Sequence, residues 1–424
     1  MTNPNLDMSR HPCFNPGAKG KFGRVHLPVA PQCNIKCNYC NRKYDCVNES
    51  RPGVTSTVLT PDQAGEYMER VLEREPRITV AGIAGPGDPF ANAEETMATM
   101  RLLRDNHPEI LLCLASNGMN IGPYIPELAS MNVSHVTITI NAVDPEIGAK
   151  VYSWVRDGKV IHHGRKGAEI LLARQLAAVA SLKEHGITVK INTILIPGIN
   201  DHHIEAVAAK MRDLGADLFN CMALFPNVDT LFGAIPQPSP EEMERVRAMA
   251  ERYLPQMRHC TRCRADAVGL LDQDRTEEFR GCLSACATLP PVTKPRPYVA
   301  VATQEGVLVN QHLGEARTFE IWAKDEEGGY RLVEQRNAPD SGGGLRRWLR
   351  LARLLNDCQA VLTSGIGATP KETLEKTGLT TYTMNGFIES GLAAVYEGKD
   401  LTTLKSRSLS CANKSCGGTG SGCL

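Results

Sequence analysis

The sequence has no surplus of either charge: 47 basic side chains face 47 acidic ones. A chain so balanced offers no net positive field to a polyanion, so a nucleic-acid partner is not expected. It also lacks long hydrophobic runs, and nothing approaches the roughly 20 apolar residues of a membrane span. The N-terminus, MTNPNLDMSRHPC, has no apolar stretch of the kind a secretory signal requires. No internal repeat is visible. Together these absences predict a soluble, cytoplasmic protein with no membrane partner. What is present is a 42% hydrophobic share spread over 424 residues, enough for real cores and too long for one ordinary domain.

Cysteine is where the composition departs from the ordinary, with 15 residues. Disulfides belong to oxidising compartments, and no signal points to one. The distribution argues the same way. Five cysteines fall between Cys13 and Cys46, four between Cys260 and Cys286, and three in the last fourteen residues. Thiolates clustered in a reducing compartment more often bind metal or iron–sulfur clusters.

From Arg24 to Phe225 strand-like and helix-like segments alternate. RVHLPVAP, ITVAGIAGP, ILLCLASNG, HVTITINAV, TVKINTILIPG and LFNCMALF are rich in Val, Ile and Leu, as strands buried on both faces should be. Helices are predicted between them, among them Pro61 to Glu75, with Thr60 as N-cap before a first-turn proline, and Lys166 to His185, stopped at Gly186. Six βα repeats imply a parallel sheet with right-handed crossovers. The length favours a partial barrel, with chemistry at the C-terminal ends of its strands. ATLPPVTKPRP, with four prolines in eleven residues, reads as a stiff linker. Beyond it YVAVAT, FEIWAK, YRLVEQRN, a helix from Leu345 to Asn356, the strand AVLTSGIG and two more helices predict a second α/β unit. The expected boundaries are 1–288, a linker at 289–297, a second domain at 298–404 and a Gly/Ser-rich tail at 405–424.

Cys33-x3-Cys37-x2-Cys40 follows the first strand, with Tyr39 beside the last cysteine. Three thiolates can hold three irons of a four-iron cluster and leave the fourth open. An open iron can chelate the amino and carboxylate groups of S-adenosylmethionine (SAM), and an electron passed to the sulfonium then yields a 5′-deoxyadenosyl radical. A structural zinc site would need a fourth ligand and usually other spacing. The pattern resembles the radical SAM superfamily. In that superfamily a Gly-rich segment after strand two lets backbone approach the methionyl amine, which implies a cofactor-binding role for Gly85, Pro86, Gly87 and Asp88. Thr137, Asn141 and Asn192 are candidate contacts to ribose and carboxylate, and equally structural residues at strand ends.

HPC (11–13), CNRKYDCVNESRPG (40–53), AGPGDP (84–89), TITINAVDP (137–145) and CTRCRADAVG (260–269) occur together and in order. This set resembles the NifB family of nitrogenase cofactor biosynthesis proteins, over nearly the whole first domain. The final domain, from roughly Lys294, looks like the small dinitrogenase iron–molybdenum cofactor-binding (NifX-like) domain. The resemblance implies an α/β fold: a partial (β/α)6 radical SAM barrel followed by a smaller, ribonuclease H-like α/β domain.

It also implies a task, the fusion of two [4Fe-4S] clusters into an eight-iron cluster with a central carbide taken from SAM. By motif position the radical cluster would be held by Cys33, Cys37 and Cys40. One substrate cluster would be held by His26, Cys46 and Cys113, and the other by Cys13, Cys260 and Cys263. Read without the family, a lone strand histidine such as His26 is more often a core residue, and Cys113 packs well as a small hydrophobe. Cys260 and Cys263, flanked by charge, do not fit a core. Glu49 and Arg51 are the candidate proton-handling catalytic pair together with Cys113, or a plain ion pair. Arg264 and Asp266 read as orienters. Cys221 and Cys358 read as core residues, while Cys282 and Cys286 receive no role. His312 in the second domain is a candidate contact to the finished cluster, and the tail cysteines Cys411, Cys416 and Cys423 make no recognised site. The implied partners are cluster donor proteins, an electron donor, and carrier or scaffold proteins of the nitrogenase assembly pathway. The competing readings are a molybdopterin-forming cyclase, which would end in Gly-Gly and lack HPC and ESRPG, and a passive cluster carrier, which would need no SAM motif.

Overall fold

The computed structural model describes residues 6–46, 55, 57–289, 296–342 and 344–400. The chain divides into two compact units, 1–291 and 292–424.

Six strands form the frame of the first unit: β1 (Gly23–His26), β2 (Ile78–Ile83), β3 (Leu111–Ser116), β4 (Val133–Thr139), β5 (Thr188–Leu195) and β6 (Leu218–Ala223). They lie side by side in chain order, all parallel, as an open curled half-barrel. The apolar runs become strands because both faces are covered: every residue of β4 is buried. A two-residue strand, Val268–Gly269, pairs antiparallel with β1 and closes that edge. It brings the segment carrying Cys260 and Cys263 back beside the first strand.

The connections are helical: α1 (Pro61–Arg74), α2 (Ala93–Asn106), α3 (Ile125–Ser130), α4 (Pro145–Val151), α5 (Gly164–Glu184) and α6 (Ile204–Asp213), with α7 (Pro240–Glu251) and α8 (Thr276–Ala287) after the last parallel strand. Thr60 caps α1 in a reciprocal box. Its hydroxyl accepts from the Gln63 N–H, and the Gln63 side chain accepts from the Thr60 N–H at 2.9 Å. The Gln63 amide also donates to the carbonyls of Ala287 and Leu289, fastening the end of α8 to the start of α1. Helix α5 ends just before Gly186, whose φ of +74° turns the chain out of the helix.

Two apolar clusters sit in this unit. The larger fills the space between sheet and helices. The smaller, with Ile35, Tyr39, Tyr152, Ile194, Leu224 and Phe232, underlies the cysteine loop at the C-terminal ends of the strands. A small antiparallel sheet of Ile35–Cys37, Tyr152–Asp157 and Val160–His162 ties that loop to the α4–α5 connection.

The second unit is a five-stranded sheet of β7 (Tyr298–Val301), β8 (Thr318–Lys324), β9 (Tyr330–Asn337), β10 (Cys358–Thr363) and β11 (Thr380–Thr383). The spatial order is β9-β8-β7-β10-β11. β8 runs antiparallel to its neighbours β7 and β9, and the last two strands are parallel to β7, which is the ribonuclease H-like order. Helices α9 (Leu345–Leu354), α10 (Ala368–Lys376) and α11 (Ile388–Glu397) accompany this sheet. The unit has apolar clusters of its own.

Candidate functional site

Two cavities border the sheet, one beyond the ends of β1 to β3 and one against the strands themselves. The first is a cleft lined by Cys33, Cys37, Cys40 and Cys46 together with Tyr39, Arg42, Gly87, Asp88 and Asn117. Its wall is one hydrogen-bonded piece. Gly87 N–H donates to the Ala30 carbonyl at 2.6 Å and Asp88 N–H to the Gln32 carbonyl at 2.8 Å. A Cβ on Gly87 would fall 2.0 Å from the Gln32 oxygen, so only glycine lets the two strand ends meet. Gly85 has a φ of +141° and precedes a cis peptide bond to Pro86. The buried Asp88 carboxylate accepts from Asn117 N–H at 2.6 Å, Phe90 N–H at 2.9 Å and the Ser116 hydroxyl at 3.0 Å. Asn117 in turn donates to the Asn34 side chain at 2.7 Å, next to Cys33. Burial pushes the Cys33 thiol up to about 12.

Tyr39 and Asn141 belong to the same scaffold. The Asn141 amide donates to the Tyr39 hydroxyl at 2.7 Å, and its oxygen accepts from Ile194 N–H at 2.8 Å. These bonds clamp the cysteine loop to β5.

The second cavity is a chamber whose walls include His26, Cys113, Cys13, Cys260 and Cys263. The end of β2 runs from one cavity to the other, with Gly82 to Ala84 facing the chamber and Gly87 and Asp88 the cleft. His26 Nδ1 lies 2.9 Å from the Arg264 carbonyl. A carbonyl only accepts, so Nδ1 carries the hydrogen and the Nε2 lone pair is left for a ligand, the arrangement seen in metal-binding histidines. Burial lowers this imidazole to about 4, so it is neutral near pH 7. The ring rests over Gly82, where a Cβ would meet it at 3.2 Å. Arg264, whose carbonyl orients His26, has its guanidinium in a two-pronged pair with Asp266, both contacts at 2.9 Å. The thiols opposite are already addressed by donors: Arg24 Nε lies 3.2 Å from the Cys263 sulfur and the Asn220 amide 3.4 Å from that of Cys260.

Of the six side chains assigned by motif to two substrate clusters, five therefore share one chamber. Cys46 lies in the cleft instead, because its N–H is tied to the Pro86 carbonyl at 3.1 Å. Thr137 and Asn192 are on the chamber wall, not beside the three-cysteine loop. Glu49 and Arg51 lie outside the described residues, as do the tail cysteines. Cys221, Cys282 and Cys286 are buried in the main core of the first unit and Cys358 in that of the second. In the second unit His312 Nδ1 accepts from Gly314 N–H at 3.1 Å, and its ring presses on Gly365, where a Cβ would come within 2.6 Å.

Sequence reasoning missed Arg24, Asn220 and Lys190, all three on the chamber wall. The signal was there for Arg24 and Lys190: a charged residue inside an apolar strand run is costly to bury unless it has work there. Among the described residues no group of three or more His, Cys, Asp or Glu is arranged around a single metal ion. The soft donors of the cleft, three thiols from one loop over a glycine-built wall, fit a four-iron cluster with one iron left open.

Comparison with known proteins bears on this directly. Residues 27–211 match the radical SAM superfamily and residues 296–398 the dinitrogenase iron-molybdenum cofactor family. The FeMo cofactor biosynthesis protein NifB of Chlorobaculum tepidum is 49% identical over 99% of both chains. The chain belongs to the NifB family. The NifB of Klebsiella pneumoniae is 40% identical over 87% of this chain and 86% of that one. Among solved structures, Streptococcus suis SuiB bound to S-adenosylmethionine aligns at a TM-score of 0.42 and 13% identity, over 56% of this chain and 50% of that one. As a NifB-family member the chain is a radical SAM enzyme of cofactor biosynthesis, and the family implies a [4Fe-4S] cluster and SAM. No helix among the described residues is long and apolar enough to cross a membrane.

Proposed function

We propose that this chain is a carbide-inserting cluster synthase, which fuses two [4Fe-4S] substrate clusters and inserts a SAM-derived carbide to form the [8Fe-9S-C] precursor of the nitrogenase cofactor. The observation that supports this is the pair of thiol-lined cavities joined by the end of β2. A passive carrier would need only one of them.

In this reading Cys33, Cys37 and Cys40 hold the resident cluster, which when bound supplies reductive cleavage of SAM. Gly85, Pro86 and Gly87 form the wall for its methionyl part. Tyr39, Asp88 and Asn141 act by fixing that wall and the cysteine loop. Thr137 and Asn192, on the chamber side, face the ribose and carboxylate. His26 and Cys113 receive one substrate cluster, with Cys46 on the cleft side as their third partner, and Cys13, Cys260 and Cys263 receive the other. Glu49 and Arg51 are assigned to proton handling as the donated methyl group loses hydrogen. The second unit, with His312, serves holding or delivery. The setting is cytoplasmic, with cluster donors, an electron donor and a cofactor carrier as partners.

The test uses anaerobically reconstituted protein with SAM and a reductant, measuring 5′-deoxyadenosine and the eight-iron product. Cys33→Ala, Cys37→Ala or Cys40→Ala should abolish both while iron remains in the chamber. Cys46→Ala and Cys113→Ala should still allow SAM cleavage but stop the product. Undiminished product from either of the last two would remove that residue from the assignment.

A further inference from the structure

His11 stands in the HPC motif, two residues before a proposed ligand, and its own side chain has no assigned task. It is 1% exposed, lines the chamber, and its Nε2 is buried with no hydrogen-bond partner among the described residues. A buried N–H without a partner is costly, so such a group marks a place where a partner is missing. The other ring nitrogen decides what that partner must be. Cys13 N–H points at His11 Nδ1 at 3.3 Å. Since the backbone donates there, Nδ1 must accept, and the ring keeps its one hydrogen on Nε2. This is the opposite of His26, whose Nδ1 faces a carbonyl and whose Nε2 is a bare lone pair. His26 is set up to bind iron; His11 is set up to donate. The ring is held in this attitude by an edge contact with Phe14 and a tilted contact with His135, at centroid distances of 4.8 and 4.3 Å.

A second observation points to the same guest. Asn220, also on the chamber wall, turns its amide N–H towards the Cys260 sulfur. Arg24 Nε addresses the Cys263 sulfur. The chamber thus turns N–H donors towards sulfur from β1 and β6.

We infer that His11 is a hydrogen-bond donor, through Nε2–H, to a sulfide of the substrate cluster held by Cys13, Cys260 and Cys263, and not a ligand to its iron. This rests on the reading that the chamber takes an iron–sulfur cluster. Hydrogen bonds to cluster sulfur stabilise the more negative, reduced state and so raise the reduction potential.

The experiment uses the full chain with Cys33, Cys37 and Cys40 changed to Ala, reconstituted with iron and sulfide. The signal that disappears on adding Cys260→Ala and Cys263→Ala belongs to this cluster; if no signal does, the reading of the chamber fails and not merely the role of His11. For the cluster so identified, pulsed resonance in H2O and D2O should reveal an exchangeable proton near the spin, and labelled histidine should show only weak nitrogen coupling. His11→Leu should lose that proton and titrate at a lower midpoint potential with unchanged iron content, whereas His11→Gln, which keeps an N–H at a similar reach, should restore much of the shift. A purely structural His11 would leave potential and proton coupling unmoved in His11→Leu and overturn the inference. Strong nitrogen coupling of a bound imidazole to that same cluster, persisting when His26→Ala removes the other candidate ligand and needing no His11 variant to fold, would overturn it too.

Discussion

At position 87 even a methyl group would sit 2.0 Å from a backbone oxygen that other hydrogen bonds already fix. Gly87→Ala is therefore expected to push the Gly85–Asp88 segment off the chain leading to Cys33, at a cost of about 1–3 kcal/mol in stability. Because that segment walls the cleft, SAM cleavage should fall by about 100-fold, the size of effect a 1 Å misplacement can have. Gly281 is the control. It sits in α8, exposed, with nothing within 4 Å of an added Cβ. Gly281→Ala should leave cleavage unchanged and raise stability by up to about 1 kcal/mol. Thermal melts and 5′-deoxyadenosine assays on the two variants decide both points. At this scale the three-cysteine motif was legible because its spacing is itself the chemistry. The states of His11 and His26 were not, since a histidine's free nitrogen depends on which backbone group faces the other one, 2 residues away for His11 and 238 for His26.

Among the elements, the turn from α1 into β2 carries the clearest electrostatic device. Glu75 closes α1 and is only 2% exposed. It accepts from Arg77 at 2.7 and 2.8 Å and from Arg275, the residue before α8, at 2.8 Å. The Arg77 hydrogen bonds, followed by that of Arg275, hold its carboxyl down to about 2. A carboxylate lowered on folding contributes stability that is present above its ordinary value near 4.5 and lost as the pH falls towards 2. Glu75→Gln should thus cost about 2 kcal/mol at neutral pH, and the gap between variant and parent should close between pH 4.5 and 2. Denaturant midpoints across that range measure it; a gap independent of pH would refute the mechanism. The small sheet under the cysteine loop was less legible than the barrel. Its hairpin does carry an Asp157-Gly158 signal, with Gly158 at φ +59°. The flanking strands are short and half exposed, so no apolar alternation announced them.

For the whole molecule, the two units have separate cores, and every motif for SAM and cluster chemistry falls in the first. A chain ending near Lys294 should still cleave SAM and build the carbide-bearing cluster, but pass it more slowly to an acceptor protein. Full-length and truncated proteins compared side by side, for 5′-deoxyadenosine and for delivered cofactor, test this. Loss of 5′-deoxyadenosine from a folded, cluster-loaded truncation would show that the units share one active site.

The sequence by itself determined the strand order and the grouping of Cys33, Cys37 and Cys40 on one cleft. Six buried βα repeats pair with their neighbours in turn, and three cysteines within eight residues must share one loop. It also determined the helix ends, since Thr60, Pro61 and Gly186 act through local backbone geometry. Only the tertiary structure decided which distant residues share a chamber. Cys13, His26, Cys113, Cys260 and Cys263 come together because Val268–Gly269 folds back antiparallel onto β1, a pairing of two residues that carries no periodic signal. The same closure sets the Arg264 carbonyl against His26 and the Cys263 sulfur against Arg24. Contacts between groups some 240 residues apart depend on how the sheet curls, and no local pattern encodes that.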